Sequence, residues 1–297
     1  MGTKKKILIS LISVILVTLT TITLEKYAVV SDLRNKLLEI KDNNGDHYVR
    51  FLALDNNDSV IIKSKDKTAI IDFGGIEDGG ANLIKAINKY HINKIDYAFV
   101  TTPDDSHIGG FIALSKELDI NLVVIPKATD FTYQSTKTTQ EVVEKIITGF
   151  PYKIANQGDV YKIGEFSIEI LSYSDIYDDL EDRSVSYKIE GFNKSFLIAG
   201  ALGLNLQQEI LMTHKNMKID VLKLPGYSNV ENWDFIFFRK LKAEYFVSST
   251  GYNNDYILQK DYELFNTLLK AKLYRTDING DIAFYFNNNE MKVICEK

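Results

Sequence analysis

The chain has 297 residues, 45 % of them hydrophobic and 25 % charged, with 17 Gly, 4 Pro, a single Cys and a formal net charge of −5. This composition excludes a disordered, collagen-like or disulfide-scaffold chain, and the length allows a large core, as one big domain or two ordinary ones. Cys295 has no second cysteine to pair with, no cysteine cluster exists for zinc, and the negative balance argues against a nucleic-acid binder, which shows a basic face.

Ile7 to Leu24 carries no charge; twelve of its eighteen residues are Ile, Leu or Val and six are Ser or Thr. A helix of this length reaches about 27 Å, close to a hydrocarbon core of about 30 Å. Lys4, Lys5 and Lys6 precede it and are expected to stay in the cytoplasm. The sequence therefore predicts a single N-terminal transmembrane helix with the rest of the chain outside. A cleaved signal peptide is the alternative, although Thr23 to Ala28 makes a poor cleavage site. Residues 1–27 read as cytoplasmic lysines and membrane anchor (or signal peptide), 28–46 as a stalk helix and linker, and 47–297 as the globular domain. Ser31 to Lys41 is a short amphipathic stretch with Leu33, Leu37 and Leu38 on one side, broken at Asn43-Asn44-Gly45-Asp46. The first 24 residues hold three lysines and no acid, so the remainder has 32 basic and 40 acidic residues, a net of −8.

From Tyr48 onward, short β runs alternate with helical stretches. Strands are predicted at 48–54, 59–63, 68–72, 95–100 and 121–125, with helices at 81–90, 107–118 and 138–147. Further strands are predicted at 159–163, 167–171, 185–190 and 195–199, then a helix at 204–213. The last strands fall at 219–224, 245–248, 272–274, 281–286 and 291–295. No Pro- or Gly-rich linker divides this region. Hairpins mixed with βα units predict a layered α/β protein with mixed sheets.

Six motifs follow one another in this region. They are Phe51-Leu52-Ala53-Leu54-Asp55-Asn56-Asn57-Asp58-Ser59-Val60, Thr68-Ala69-Ile70-Ile71-Asp72-Phe73-Gly74-Gly75 and Thr101-Thr102-Pro103-Asp104-Asp105-Ser106-His107-Ile108-Gly109-Gly110. Then come Phe196-Leu197-Ile198-Ala199-Gly200-Ala201, Asp220-Val221-Leu222-Lys223-Leu224-Pro225, and Tyr274-Arg275-Thr276-Asp277 before Gly280. In this order they resemble the metallo-β-lactamase fold, and more narrowly the extracytoplasmic hydrolase-like domain of ComEC-type competence proteins. The resemblance implies a four-layer αβ/βα sandwich with the site between two mixed sheets. It also implies one or two zinc ions, held by His and carboxylate ligands, that make a hydroxide nucleophile.

Most of the ligand positions implied by the resemblance are changed. Thr102 replaces the first His, Ser106 an Asp, Ala201 an Asp, Gly226 part of a His-His-Gly-Ser turn, and Leu258 the late His. Asp104 and His107 survive, and Asp72 remains as a supporting carboxylate. Two ligands rarely hold zinc. Asp105 is weighed as a substitute, but a preserved loop would turn its side chain away.

The surviving residues also have structural readings. Asp72 is expected to cap the Gly74-Gly75 turn through backbone N–H groups. Asp104, Asp105 and Ser106 suit the start of a helix, and His107 suits a satisfied core histidine. Asp277 is expected to pair with Arg275 or close a turn. His47, His91 and His214 lie outside every motif and read as surface or helix-end residues. Gly74 to Gly80 lacks the pattern of a phosphate loop and reads as a turn. Five acids (Asp175, Asp178, Asp179, Glu181 and Asp182) read as a solvated loop without EF-hand spacing. Tyr227, Trp233 and Asp277 are candidate cleft-lining residues. Trp233 is expected to be partly exposed, and Tyr227 to fill the vacated metal position with its hydroxyl on Asp104 or His107.

Three functions compete at this stage. The first is a membrane-anchored pseudoenzyme without a metal cofactor, binding a protein, peptide or envelope component. The second is a zinc-dependent hydrolase of a phosphodiester or nucleic acid. The third is a purely structural ectodomain. The lost ligands and the acidic surface weigh against the second.

Overall fold

Alternation along the strands divides the core into faces, and the faces define the layers. The computed structural model describes residues 26, 46–127, 136–172, 184–226, 233–251, 265–287 and 290–297. The expected membrane span, the stalk helix, the acidic loop, Tyr227 and Leu258 lie outside these residues. Contacts divide the chain into Met1–Gly45 and Asp46–Lys297, and every element below belongs to the second unit. Among the described residues, no helix is long and apolar enough to cross a membrane.

The chain opens with a meander of β1 (His47–Phe51), β2 (Val60–Ser64) and β3 (Lys67–Ile71). Helix α1 (Ala81–Lys89) leads to β4 (Lys94–Ile95) and β5 (Tyr97–Phe99), with β5 parallel to β3. The predicted strand 95–100 is thus two strands, broken at Asp96. The Asp96 carboxylate accepts from Thr68 N–H at 3.0 Å and pins the start of β3, while β4 pairs with β6 (Asp119–Ile120) in a separate ladder.

The predicted helix 107–118 is likewise two helices, α2 (Asp105–Ile108) and α3 (Phe111–Glu117). The break is steric: a Cβ on Gly110 would lie 2.1 Å from the Phe73 carbonyl oxygen. The chain after β3 packs directly onto this glycine pair, and Phe73 N–H donates to the His107 carbonyl at 2.5 Å. β7 (Val123–Ile125), α4 (Lys137–Gly149) and β8 (Tyr152–Ile154) complete this half.

The second half begins with β9 (Val160–Ile163), β10 (Phe166–Ser172), β11 (Ser186–Gly191) and β12 (Lys194–Ile198), all antiparallel neighbours. Helix α5 (Leu204–Thr213), β13 (Val221–Lys223), α6 (Phe235–Leu241), β14 (Tyr245–Ser248) and β15 (Lys272–Arg275) continue it with parallel pairings. A π-helical turn covers Phe265–Leu269, and α7 (Thr276–Asn279) precedes β16 (Ile282–Asn287) and β17 (Glu290–Cys295). Strand β16 crosses back to pair with β1.

The result is an eight-stranded sheet ordered β17-β16-β1-β2-β3-β5-β7-β8 and a seven-stranded sheet ordered β15-β14-β13-β12-β11-β10-β9. Both are mixed, as the sequence predicts. Val49, Phe51, Ile62 and Phe284 of the first sheet pack with Ile168, Tyr187, Phe196 and Ile198 of the second. The opposite face of the first sheet, with Tyr48, Ile61 and Ile70, meets Leu83, Phe111 and Ile146 of the helices. Leu197, Leu222 and Phe246 of the second sheet meet Leu206, Ile210, Phe237 and Phe238. Helices therefore cover the outer face of each sheet.

Candidate functional site

Asp72 follows the last residue of β3 in a left-handed conformation, φ 61°, which Asp tolerates better than most residues. Its carboxylate does not cap the Gly74-Gly75 turn. Instead Oδ1 accepts from Thr101 N–H at 2.8 Å and Oδ2 from Thr101 Oγ1 at 2.7 Å, tying the end of β3 to the end of β5. The Gly74 N–H goes to the Asp58 carbonyl. Burial raises the Asp72 carboxyl to about 7, against the opposing pull of His107 and the Thr101 donors.

Asp104 caps α2, as its sequence position predicts. Its Oδ1 accepts from Ser106 N–H at 2.9 Å, Ser106 Oγ at 2.6 Å and His107 N–H at 3.0 Å. His107 Nδ1 donates to the same oxygen at 2.7 Å. Burial pushes Asp104 up, but His107 and the Ser106 donors outweigh it and hold it below the usual carboxylate range. Asp105 faces elsewhere: its Oδ1 accepts from Thr136 and Thr139 at the start of α4.

The other nitrogen of His107, Nε2, lies 3.2 Å from Asp58 Oδ2, and both side chains are 1 % exposed. Burial opposes a charged imidazole, yet Asp104 and Asp72 hold His107 well above its ordinary value, helped by hydrogen bonds to Asp104 and Asp58. His107 is thus an imidazolium at neutral pH, donating to a carboxylate from each side. Asp58 Oδ2 also accepts from Lys223 Nζ at 2.6 Å. Burial pushes Asp58 up, but Lys223 and His107 hold it far below the usual range. Among the described residues, Asp58 Oδ1 has no hydrogen-bond partner.

Positions at which the resemblance implies ligands are joined by hydroxyls. Thr102 Oγ1 is 2.9 Å from Ser184 Oγ, which accepts from Ala201 N–H at 3.1 Å. Thr102 and Ser184 are buried. Gly200 takes a positive φ and its absent Cβ would strike the Thr101 side chain, so the β12 end closes directly on Thr101. Gly226 N–H donates to the Gly200 carbonyl at 3.0 Å.

Trp233 corrects the sequence expectation: it is 6 % exposed and packs edge-on against Phe235, Phe238 and Phe265. The apolar floor of the second sheet attracts the indole more than the cleft does. Asp277 pairs with Arg275 at 2.5 Å, the first of its two expected roles. His91 and His214 stand at the ends of α1 and α5, and His47 Nδ1 meets Ser64 Oγ at 2.8 Å.

Sequence reading missed Asp58 and Lys223. Both stand inside quoted motifs, and the available signal was a lysine within the apolar run Val221 to Leu224. Charge placed there needs a buried partner.

Asp58, Asp72 and His107 each bring one donor atom within 4.8 Å of the others. A resident zinc nonetheless does not fit the chemistry of this set. Zinc needs a neutral imidazole nitrogen and carboxylate lone pairs that are not committed to other donors. Both His107 nitrogens face carboxylates that favour a proton on each, both Asp72 oxygens accept from Thr101, and Asp58 Oδ2 is bonded to Lys223 and His107, which leaves Asp58 Oδ1 alone uncommitted among the described residues. What this arrangement does is hold fixed charges together between two sheets.

ComE operon protein 3 of Bacillus subtilis (strain 168) is 26 % identical over 211 residues, covering 69 % of this chain and 26 % of that protein. The chain therefore spans about a quarter of that relative's length. Among solved structures, CmlA, a diiron β-hydroxylase from Streptomyces venezuelae, matches 81 % of this chain and 54 % of its own, at 11 % identity and a TM-score of 0.53. Tm1679, a metal-dependent hydrolase of the beta-lactamase superfamily, matches 76 % of this chain and 95 % of its own, at 13 % identity and a TM-score of 0.51. These likenesses show the fold. Residues 52–249 match the family described as the Metallo-beta-lactamase superfamily, and the chain belongs to it.

Proposed function

We propose that this chain is a membrane-anchored protein whose metallo-β-lactamase-fold domain lies outside the cytoplasm, works without a metal, and serves as a binding or scaffolding module. The observation that carries the metal-free reading is the Thr102–Ser184–Ala201 network beside the imidazolium of His107. Hydroxyls and a methyl group stand where metal chemistry needs imidazoles and carboxylates. The anchor rests on the three lysines before the uncharged span from Ile7 to Leu24. A protein, peptide or envelope component is the occupant, since the acidic exported part repels nucleic acid.

The 4.8 Å grouping of Asp58, Asp72 and His107, together with the likeness to ComE operon protein 3, favours one second reading, a metal-dependent phosphodiester hydrolase. Elemental analysis after exposure to zinc and manganese, with phosphodiesterase and β-lactamase assays, separates the two. The expected result is no stoichiometric metal, no rate above an Asp104→Ala/His107→Ala control, and a melting temperature indifferent to chelator. A metal-dependent rate abolished by that control would establish the hydrolase.

A further inference from the structure

We propose that the N-terminal ends of β13, β14 and β15 form a basic surface that docks on anionic phospholipid, with the cavity beside α6 taking a phosphate headgroup. The proposal rests on the reading that the chain is membrane-anchored.

Three crossings of the chain are stitched together at this end of the second sheet. Ile219 N–H donates to the Leu241 carbonyl at 3.1 Å, Glu244 N–H to the Asp220 carbonyl at 3.0 Å, and Lys272 N–H to the Glu244 carbonyl at 2.9 Å. Residues 214–220, 239–244 and 270–272 thereby meet. They hold seven basic residues and two acids, in a chain whose formal net charge is −5. All seven basic residues are exposed. One of the acids, Asp220, is taken by Lys194 Nζ at 2.8 Å. Among the described residues, none of the seven forms an ion pair with a carboxylate. Strands β13 and β14 lead away from this end toward Lys223 and Ser248, so the basic surface is separate from the site between the sheets.

A cavity of about 350 Å³ opens here. Phe238, Ala243 and Leu269 line it with apolar surface, and the exposed Arg239, Lys242 and Lys270 surround it, with Glu244 as the one acid in its lining. That volume suits a small polar group, and three cations to one carboxylate favour an anion. Exposed apolar side chains stand on the same outer layer. Ile236 is 62 % exposed and lies three and four residues before Arg239 and Lys240, on one face of α6 with them. Met212, on α5 beside it, is 70 % exposed. An interfacial surface uses this combination: cations attract the anionic headgroups and apolar tips enter between them. A nucleic acid would meet the same cations but gain nothing from Ile236 and Met212.

The test is lysine acylation by a membrane-impermeant reagent on the full chain, reconstituted in vesicles of phosphatidylcholine with or without phosphatidylglycerol and read residue by residue by mass spectrometry. Lys218, Lys240, Lys242, Lys270 and Lys272 are expected to react about fivefold or more slowly on the anionic vesicles at low salt, and to regain the neutral-vesicle rate at high salt. Lys137 is the control: its side chain is 90 % exposed on α4, which covers the first sheet, and its rate should not change. Arg239→Gln/Lys242→Gln/Lys270→Gln alters exposed side chains alone, should keep the wild-type melting temperature, and should lose most of the protection of Lys218, Lys240 and Lys272.

Equal rates on the two kinds of vesicle, with the chain still embedded after a carbonate wash, would overturn the proposal and leave the anchor standing. Slowing that includes Lys137, or that survives in the triple variant, would overturn it too. So would slowing produced on neutral vesicles by inorganic phosphate or duplex DNA and absent on anionic ones, which would assign the cations to a soluble anion. A chain that the wash strips from neutral vesicles would overturn the anchor reading and the proposal with it.

Discussion

Lys223 Nζ and Asp58 Oδ2 meet at 2.6 Å across the two sheets, 165 positions apart in the chain. Removal of one partner leaves a buried charge without compensation, which costs about 3–5 kcal/mol, whereas replacing both with uncharged groups is close to neutral. Metal-free Lys223→Met should therefore lose about 3–5 kcal/mol of unfolding free energy, and Lys223→Met/Asp58→Asn should recover most of it. Urea unfolding in the presence of chelator measures both. Equal losses in the single and double variants would show that the lysine contributes packing rather than charge.

The buried carboxyl of Asp72 sets a pH dependence. Its folded pKa of about 7 stands above the ordinary 3.8, so the unfolded chain releases this proton first as pH rises. Stability from this group falls between about pH 4 and pH 7, a cost on the order of 4 kcal/mol above that window. His107, raised well above 6.5, acts in the same direction: its contribution is complete below 6.5 and is lost as pH rises through its folded value. Asp58 and Asp104 are lowered, so their contributions are present above 3.8 and disappear on acidification. The melting temperature should peak in mild acid and decline toward pH 9. Asp72→Asn suits the left-handed backbone and should flatten the decline between pH 5 and pH 7. A wild-type melting temperature that climbs steadily from pH 5 to pH 9 would contradict this account.

Ser184 sits at a junction, with its Oγ shared between Thr102 Oγ1 and the Ala201 N–H. Ser184→Ala strands the buried Ala201 N–H, leaves Thr102 Oγ1 with its long 3.4 Å contact to Thr101 Oγ1, and should cost about 1–3 kcal/mol, more than the removal of one oxygen from a partly exposed serine. Denaturant midpoints of Ser184→Ala and a partly exposed control such as Ser167→Ala make the comparison. A loss no larger than that of the control would mean that the Ala201 N–H finds another partner.

The layered α/β plan was legible because each strand carries its own alternation and each motif its own turn. Where prediction slipped, a long-range contact decided. Asp96 splits one apolar run because its carboxylate is needed at Thr68. Gly109 and Gly110 split one helix because the chain after β3 must pass within contact distance of them. Strand β8 went unseen because Tyr152 and Lys153 are exposed at a sheet edge and leave no apolar pattern. At the site, the capping role of Asp104 was readable from its motif. The residues that close the site were not, since Asp58 and Lys223 look ordinary alone and only the fold brings them together. Asp72 was assigned to the nearest turn, whereas its partner Thr101 arrives on another strand.

Restoring ligands offers the sharpest check on how far the scaffold still supports a metal. Thr102→His, Ser106→Asp and Ala201→Asp together place an imidazole and two carboxylates beside Asp104 and His107. Without metal, the new acids crowd Asp58, Asp72 and Asp104 in a site that is largely dry, and like charges there repel strongly. The triple variant should therefore melt well below wild type in chelator, by several kcal/mol of lost stability. Zinc should reverse most of that loss, since binding to the folded state alone stabilises by about 2.7 kcal/mol at a hundredfold excess over Kd. Wild type should show no zinc-dependent shift under the same conditions. A triple variant as indifferent to zinc as wild type would mean that the β5 and β12 ends no longer converge closely enough for shared ligation. The hydroxyl network would then mark a rebuilt site rather than a vacated one.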